Sequence, residues 1–204
     1  MTYYRTDLVG DLLDSAAESC RQAARLRDEG NTPKWLLIAM HSTVQGAMVC
    51  ALNQGNGIAA MKDTDARKWF AAHEQSRTDD NVRYPTTQVD YFLSLYAKVK
   101  NPAHMSHVFG AVPFTPIDHD EQIRQLNELR NEFIHFGVGH WEIKKSLVVE
   151  CVQRGADVVR FLVESPVFPW HRRDCANEER GSVIRNMTAV SECIGHSAFG
   201  DVSR

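Results

Sequence analysis

The sequence predicts an all-α protein, an antiparallel helical bundle of about five or six helices. Three observations carry this expectation. Apolar residues recur at three- and four-residue spacing along most of the chain. Alternation of the kind a half-buried strand needs is nearly absent. Helix-starting and helix-stopping residues punctuate the apolar runs, among them Gly30, Thr32-Pro33 and Asp118. The 204 residues suit one medium domain with a terminal extension, and 43% hydrophobic with 24% charged content is ordinary for a globular protein. The bundle is expected over residues 1–165, with an inserted segment at about 55–117. Residues 166–204 form a C-terminal extension, read as a docked helix or a frayed tail.

The elements follow in order. A first helix is expected from Thr6 to Glu29, with Leu8, Leu12, Leu13, Ala16, Ala17, Cys20, Ala24 and Leu26 on one stripe and Gly30 as its stop. Thr32 is suited to cap the second helix and Pro33 to its first position, where no N–H is needed. That helix is apolar on most of its circumference up to Asn53, which places it at the centre of the bundle. A short helix is expected from Thr64 to Gln75. Pro85 and Thr86 open another that ends at Asn101-Pro102, with Val89, Phe92, Leu93, Tyr96 and Val99 inward. Ala103 to Pro116 reads as a loop. Asp118 is expected to cap a helix with an apolar stripe of Ile123, Leu126, Leu129, Phe133 and Phe136. A last long helix is expected from Trp141 to Glu164, and residues 171–204 are weakly amphipathic.

Bulk properties exclude several function classes. A formal net charge of −3 gives no global basic field for sequence-independent nucleic-acid binding. Five scattered cysteines without a CxxC pair argue against a disulfide framework and a zinc knuckle, and fit a reducing cytoplasm. The N-terminus carries no apolar signal core, and the longest apolar stretch, Trp35 to Leu52, is interrupted by His41, Ser42, Thr43 and Gln45. No membrane association is therefore expected. No glycine-rich phosphate loop, GxSxG elbow or HExxH motif is present, and neither a cofactor nor a metal is expected.

One stretch carries chemistry. Arg130-Asn131-Glu132-Phe133-Ile134-His135 sets an arginine, an amide and a histidine within about one and a half helical turns. Asn127, Asn131 and His135, spaced by four, form a polar file. RNA can be cleaved by its own 2′-hydroxyl attacking the adjacent phosphate. A histidine then serves as general acid or base, and an arginine holds the phosphate through paired N–H donors. An arginine followed by a histidine four to six residues later is a loose pattern. About two matches are expected by chance in a chain of this composition. Two occur, Arg67 to His73 and Arg130 to His135, and only the second adds an amide directly after the arginine. On an ideal helix five residues put Arg130 and His135 about 140° apart, so one copy does not make a compact site unaided. The alternative on the same residues is packing: Arg130 paired with Glu128 or Glu132, Asn131 a satisfied amide, His135 complementing the helix dipole.

On Leu129 to Phe136 and Trp141, and in helix number and motif placement over about residues 6–165, the chain resembles the HEPN family. These are small helical bundles with an R-[polar]-x-x-x-H motif on a late helix. The segment at 55–117 departs from the minimal family pattern. The resemblance implies a metal-independent endoribonuclease, a toxin or defence effector, that is active as a homodimer. It implies Arg130, Asn131 and His135 as catalytic residues, with Asn127 and His140 contacting RNA. The alternative it leaves open is a non-catalytic module of the same fold that binds RNA or a partner protein such as an antitoxin. Outside this stretch, His104 and His107 are read as solvated loop histidines, Arg67 and His73 as a solvated helix face, Arg172-Arg173 as a small basic surface cluster, and Cys50 and Cys151 as buried small residues.

Overall fold

A computed structural model describes residues 2–30, 32–53, 57–135 and 142–195. Among these residues the chain is all-helical, with eight α-helices, more than expected, and a single isolated β-bridge. The first helix, α1 (Leu8–Glu29), is capped by the Asp7 side chain, which accepts from the Gly10 N–H at 2.7 Å. It ends where Gly30 takes a left-handed conformation (φ 64°) and donates to the Leu26 carbonyl. α2 (Lys34–Leu52) begins one residue later than expected. Pro33 occupies the cap position and no side chain caps the helix.

α2 is buried on most of its circumference and touches α1, α4, α6 and α7. Ser19 and Thr43 hydroxyls meet at 3.0 Å, and the Cys50 thiol donates to the Leu8 carbonyl. These contacts make α1 and α2 antiparallel. α7 (Lys145–Glu164) crosses α2 closely: a Cβ at Gly155 would lie 3.0 Å from Met40 Cγ and 3.2 Å from Val44 Cγ2. The final long helix, α8 (Ala176–Gly195), packs on α1 and α7 and buries Val183, Met187, Val190 and Ile194. Arg173 ties its start to Asp7 at 2.6 Å, and Arg27 donates to the Cys193 sulfur near its end. α8 therefore runs parallel to α1 and antiparallel to α7, and the core passes through residue 165 without a break. α1, α2, α7 and α8 form a four-helix bundle in which α2 and α7 are parallel.

α6 (Asp120–His135) lies over the seam of α2 and α7. His119, just before it, reaches Asp157 in the C-terminal half of α7, and the chain returns from its end to the start of α7. So α6 is antiparallel to α7, and hence to α2. Asp118 does not cap it: Asp118 is left-handed (φ 55°), whereas a cap residue needs extended backbone.

The segment between α2 and α6 is a helical arm. It contains a 3-10 turn (Ile58–Ala60), α3 (Asp63–Gln75), α4 (Phe92–Val99) and the one-turn α5 (Pro102–Met105), where a plain loop was expected. α3 buries no residue. α4 starts later than predicted, because residues 88–90 are drawn into extended pairing with 60–62: Lys62 donates to Gln88, Asp90 donates to Ala60, and Met61 bridges Val89. Val89, expected inward, is 47% exposed. The buried Lys98 fastens the arm through Asp90 (2.8 Å), Asp63 (3.0 Å) and the Met61 carbonyl (2.6 Å). Burial works against its charge, but the two carboxylates outweigh that and raise its pKa above the ordinary lysine value.

Two outcomes follow. Gly155→Val destabilises the protein by about 2–3 kcal/mol, seen as a lower urea midpoint, because the new methyls enter filled space. Lys98→Met strands Asp90 in a nearly closed site and costs about 3 kcal/mol. Limited proteolysis then cuts first within residues 61–91.

Candidate functional site

Asn127, Arg130 and Asn131 project from the C-terminal half of α6, whose amphipathic stripe of Ile123, Leu126, Leu129 and Phe133 seats it on the core. All three polar residues are half-buried. The Arg130 guanidinium donates through Nη1 to Asn131 Oδ1 at 3.0 Å. It makes no ion pair with any described residue. Glu128, a candidate partner on sequence grounds, is taken by Arg124, which also binds Glu121 at 2.5 Å. The guanidinium therefore keeps most of its donors and its full charge available.

Facing α6 from α2 is His41, only 3% exposed. Its Nε2 lies 3.2 Å from Asn127 Oδ1, and its ring stacks on Phe92, the first residue of α4, at 4.0 Å between centroids. An amide oxygen only accepts, so Nε2 carries the proton. Burial lowers the His41 pKa to about 4. The bond to Asn127 partly offsets this, and the positive Arg130 nearby adds to it. The imidazole is thus neutral at ordinary pH. Sequence reasoning saw His41 only as an interruption of an apolar run. The signal available was a histidine on the buried helix of the bundle.

His135 is the last residue of α6 and is exposed. α6 is continuous from Arg130 to His135, so the separation of about 140° holds, and the structure does not bring these two side chains together. His140, Trp141 and Phe136 lie outside the described residues. Because α6 and α2 are antiparallel and meet at His41 and Asn127, the last turn of α6 lies beside the first turn of α2. Each is about 10 Å along its axis from that contact. Trp35 (57% exposed), the half-buried Ile38 and Ile134 (37% exposed) lie toward these helix ends.

The remaining candidates are absorbed elsewhere. His73 stacks on Trp69 and pairs with the Tyr84 hydroxyl at 3.2 Å, so the second arginine–histidine match belongs to an aromatic cluster on the arm. Burial pushes the Cys50 and Cys151 thiols up to about 12, which leaves them protonated and inert. His119 bonds the Ile117 carbonyl at 2.6 Å and Asp157 at 3.3 Å, clamping the entry to α6. Among the described residues no three His, Cys, Asp or Glu side chains converge as metal ligands. α2 is long and apolar enough to cross a membrane, but most of it is buried inside the bundle. Comparison with family models, curated proteins and solved structures finds no match.

His41 makes stability depend on pH. Its folded pKa lies below its unfolded value of about 6.5, so the unfolded chain takes up the proton first as pH falls. Stability from this group is complete above about pH 6.5 and drains away toward pH 4. The loss is on the order of 3 kcal/mol. Urea midpoints at pH 7 and pH 4 are expected to differ more for the native chain than for His41→Gln.

Proposed function

We propose that the chain is a HEPN-like, metal-independent endoribonuclease that acts as a homodimer, in the manner of a toxin or defence effector. The observation that carries this is Arg130. A half-buried arginine held by an amide and lacking a carboxylate partner among the described residues is arranged for an external anion. A phosphodiester suits it.

In this proposal Arg130 grips the non-bridging phosphate oxygens and stabilises the charge they gain as the 2′-oxygen attacks phosphorus. Asn131 fixes the guanidinium, and Asn127 offers a further donor to the phosphate. The second copy's His135 takes the 2′-hydroxyl proton, and the departing 5′-oxygen takes a proton from solvent. The products are a 2′,3′-cyclic phosphate and a 5′-hydroxyl. The exposure of His135, away from Arg130 on its own helix, is what a site completed by a second copy requires. The exposed apolar side chains Trp35 and Ile134, at the neighbouring ends of α2 and α6, support an interface there. His140 is assigned to RNA contact on the resemblance alone.

The test is direct. Purified protein in EDTA cleaves RNA and leaves cyclic phosphate ends. His135→Ala lowers the rate at least about 100-fold, while its stability changes by less than about 0.5 kcal/mol because the side chain is exposed. Arg130→Lys does not restore what Arg130→Ala loses, since a point charge cannot make the paired contact. Unchanged cleavage by His135→Ala refutes the catalytic assignment. RNA binding without cleavage supports the non-catalytic module instead.

A further inference from the structure

His41 is a buried polar side chain with no role in the scheme above. Its ring is sandwiched between the core and Phe92, and its one polar contact to a described side chain is with Asn127. An asparagine amide can present either its oxygen or its NH2 group to a neighbour, and the two orientations have nearly the same shape. Left alone, Asn127 would offer a phosphate either a donor or a repelling acceptor. At the 3.2 Å contact the tautomer of His41 and the orientation of the amide fix each other: with the oxygen facing Nε2, only a protonated Nε2 satisfies it. The NH2 group must then point the other way. Asn127 is half-buried, and no described residue accepts from that group.

We infer that His41 is a positioning residue: by donating to Asn127 Oδ1 it locks the Asn127 amide with its two N–H donors turned outward beside Arg130, completing a phosphate-binding pair. This rests on the reading of the cluster as a phosphodiester site. Burial and the nearby positive Arg130 keep His41 neutral. Phe92 keeps the ring dry and in plane. Through Phe92, the inserted arm braces the site it otherwise stands apart from.

The test uses the full chain and a 2′-fluoro-substituted RNA oligonucleotide, which has no attacking hydroxyl and reports binding alone. His41→Phe keeps an aromatic ring on Phe92 but has no donor, and it weakens binding about tenfold, the worth of one oriented hydrogen bond. His41→Gln, which can place an amide N–H near the position of Nε2, stays within about threefold of the native chain. Asn127→Ala weakens binding by a similar factor, and the double variant His41→Phe/Asn127→Ala is no weaker than Asn127→Ala alone. Asn127→Asp keeps an acceptor for His41 but has no donor, so it binds more weakly than Asn127→Ala. This variant decides the matter should His41→Phe fail to fold. Native-like binding by His41→Phe or by Asn127→Asp overturns the inference. So does equal weakening in His41→Gln and His41→Phe, or additive losses in the double variant. Binding by the native chain without cleavage of unmodified RNA removes the nuclease reading and leaves His41 to be judged on these affinities. No binding by the native chain overturns both.

Discussion

The burial of α2 is the constraint on which the rest of the molecule depends. Four helices, α1, α4, α6 and α7, use it as a common wall, and α8 is held by the two of these that flank it, α1 and α7. Such a helix tolerates polar groups only when each has a partner, because an unpaired buried donor or acceptor costs about 1–3 kcal/mol. Thr43 meets this demand by bonding back to the Ala39 carbonyl and across to Ser19. His41 meets it by reaching α6. The position of α6 is therefore tied to α2 by a directional bond as well as by apolar contact, and the polar face of α6 lies where that bond requires it.

Two buried polar centres, at Lys98 and His41, are connected through one short helix, α4. Lys98, near the end of α4, gathers Asp63, Asp90 and the Met61 carbonyl, and so ties the two ends of the 61–91 excursion to α4. Phe92, at the start of α4, covers His41. An ammonium group in a nearly closed site holds its position firmly, since removing it would leave the enclosed Asp90 carboxylate without its partner. The arm thus has a mechanical link to the candidate site although α3 itself buries nothing.

How far the sequence foretold this depends on how local each signal is. α1 and its stop at Gly30, the buried α2, α3 and the length of α6 follow from periodicity and end signals carried within each segment. Val89 misled because helical spacing is present at residues 89–99, while the backbone of residues 88–90 is claimed by 60–62, a pairing that periodicity does not register. Asp118 has the right side chain for a cap but the wrong backbone. His41 was illegible as a site residue for the same reason on a larger scale. Its partner lies 86 residues away, and only the antiparallel docking of α6 on α2 makes them neighbours. The polar file Asn127-Asn131-His135 was visible from spacing. That Arg130 escapes its nearby glutamates was not, because the pairing of Arg124 with Glu121 and Glu128 is a competition among equivalent helical neighbours.

The geometry of α6 places a further demand on any chemistry done here. Arg130 and His135 are about 7.5 Å apart along the axis and about 140° around it. A phosphate held at Arg130 therefore lies well to the side of its own His135. Bending one side chain to the other would mean giving up the Asn131 contact that orients Arg130. In the proposed homodimer this demand falls on the His135 of the second copy. On the proposed reading a single chain is a half-site: Arg130, held by Asn131, is its anion-binding half, and the exposed His135 is its proton-transfer half.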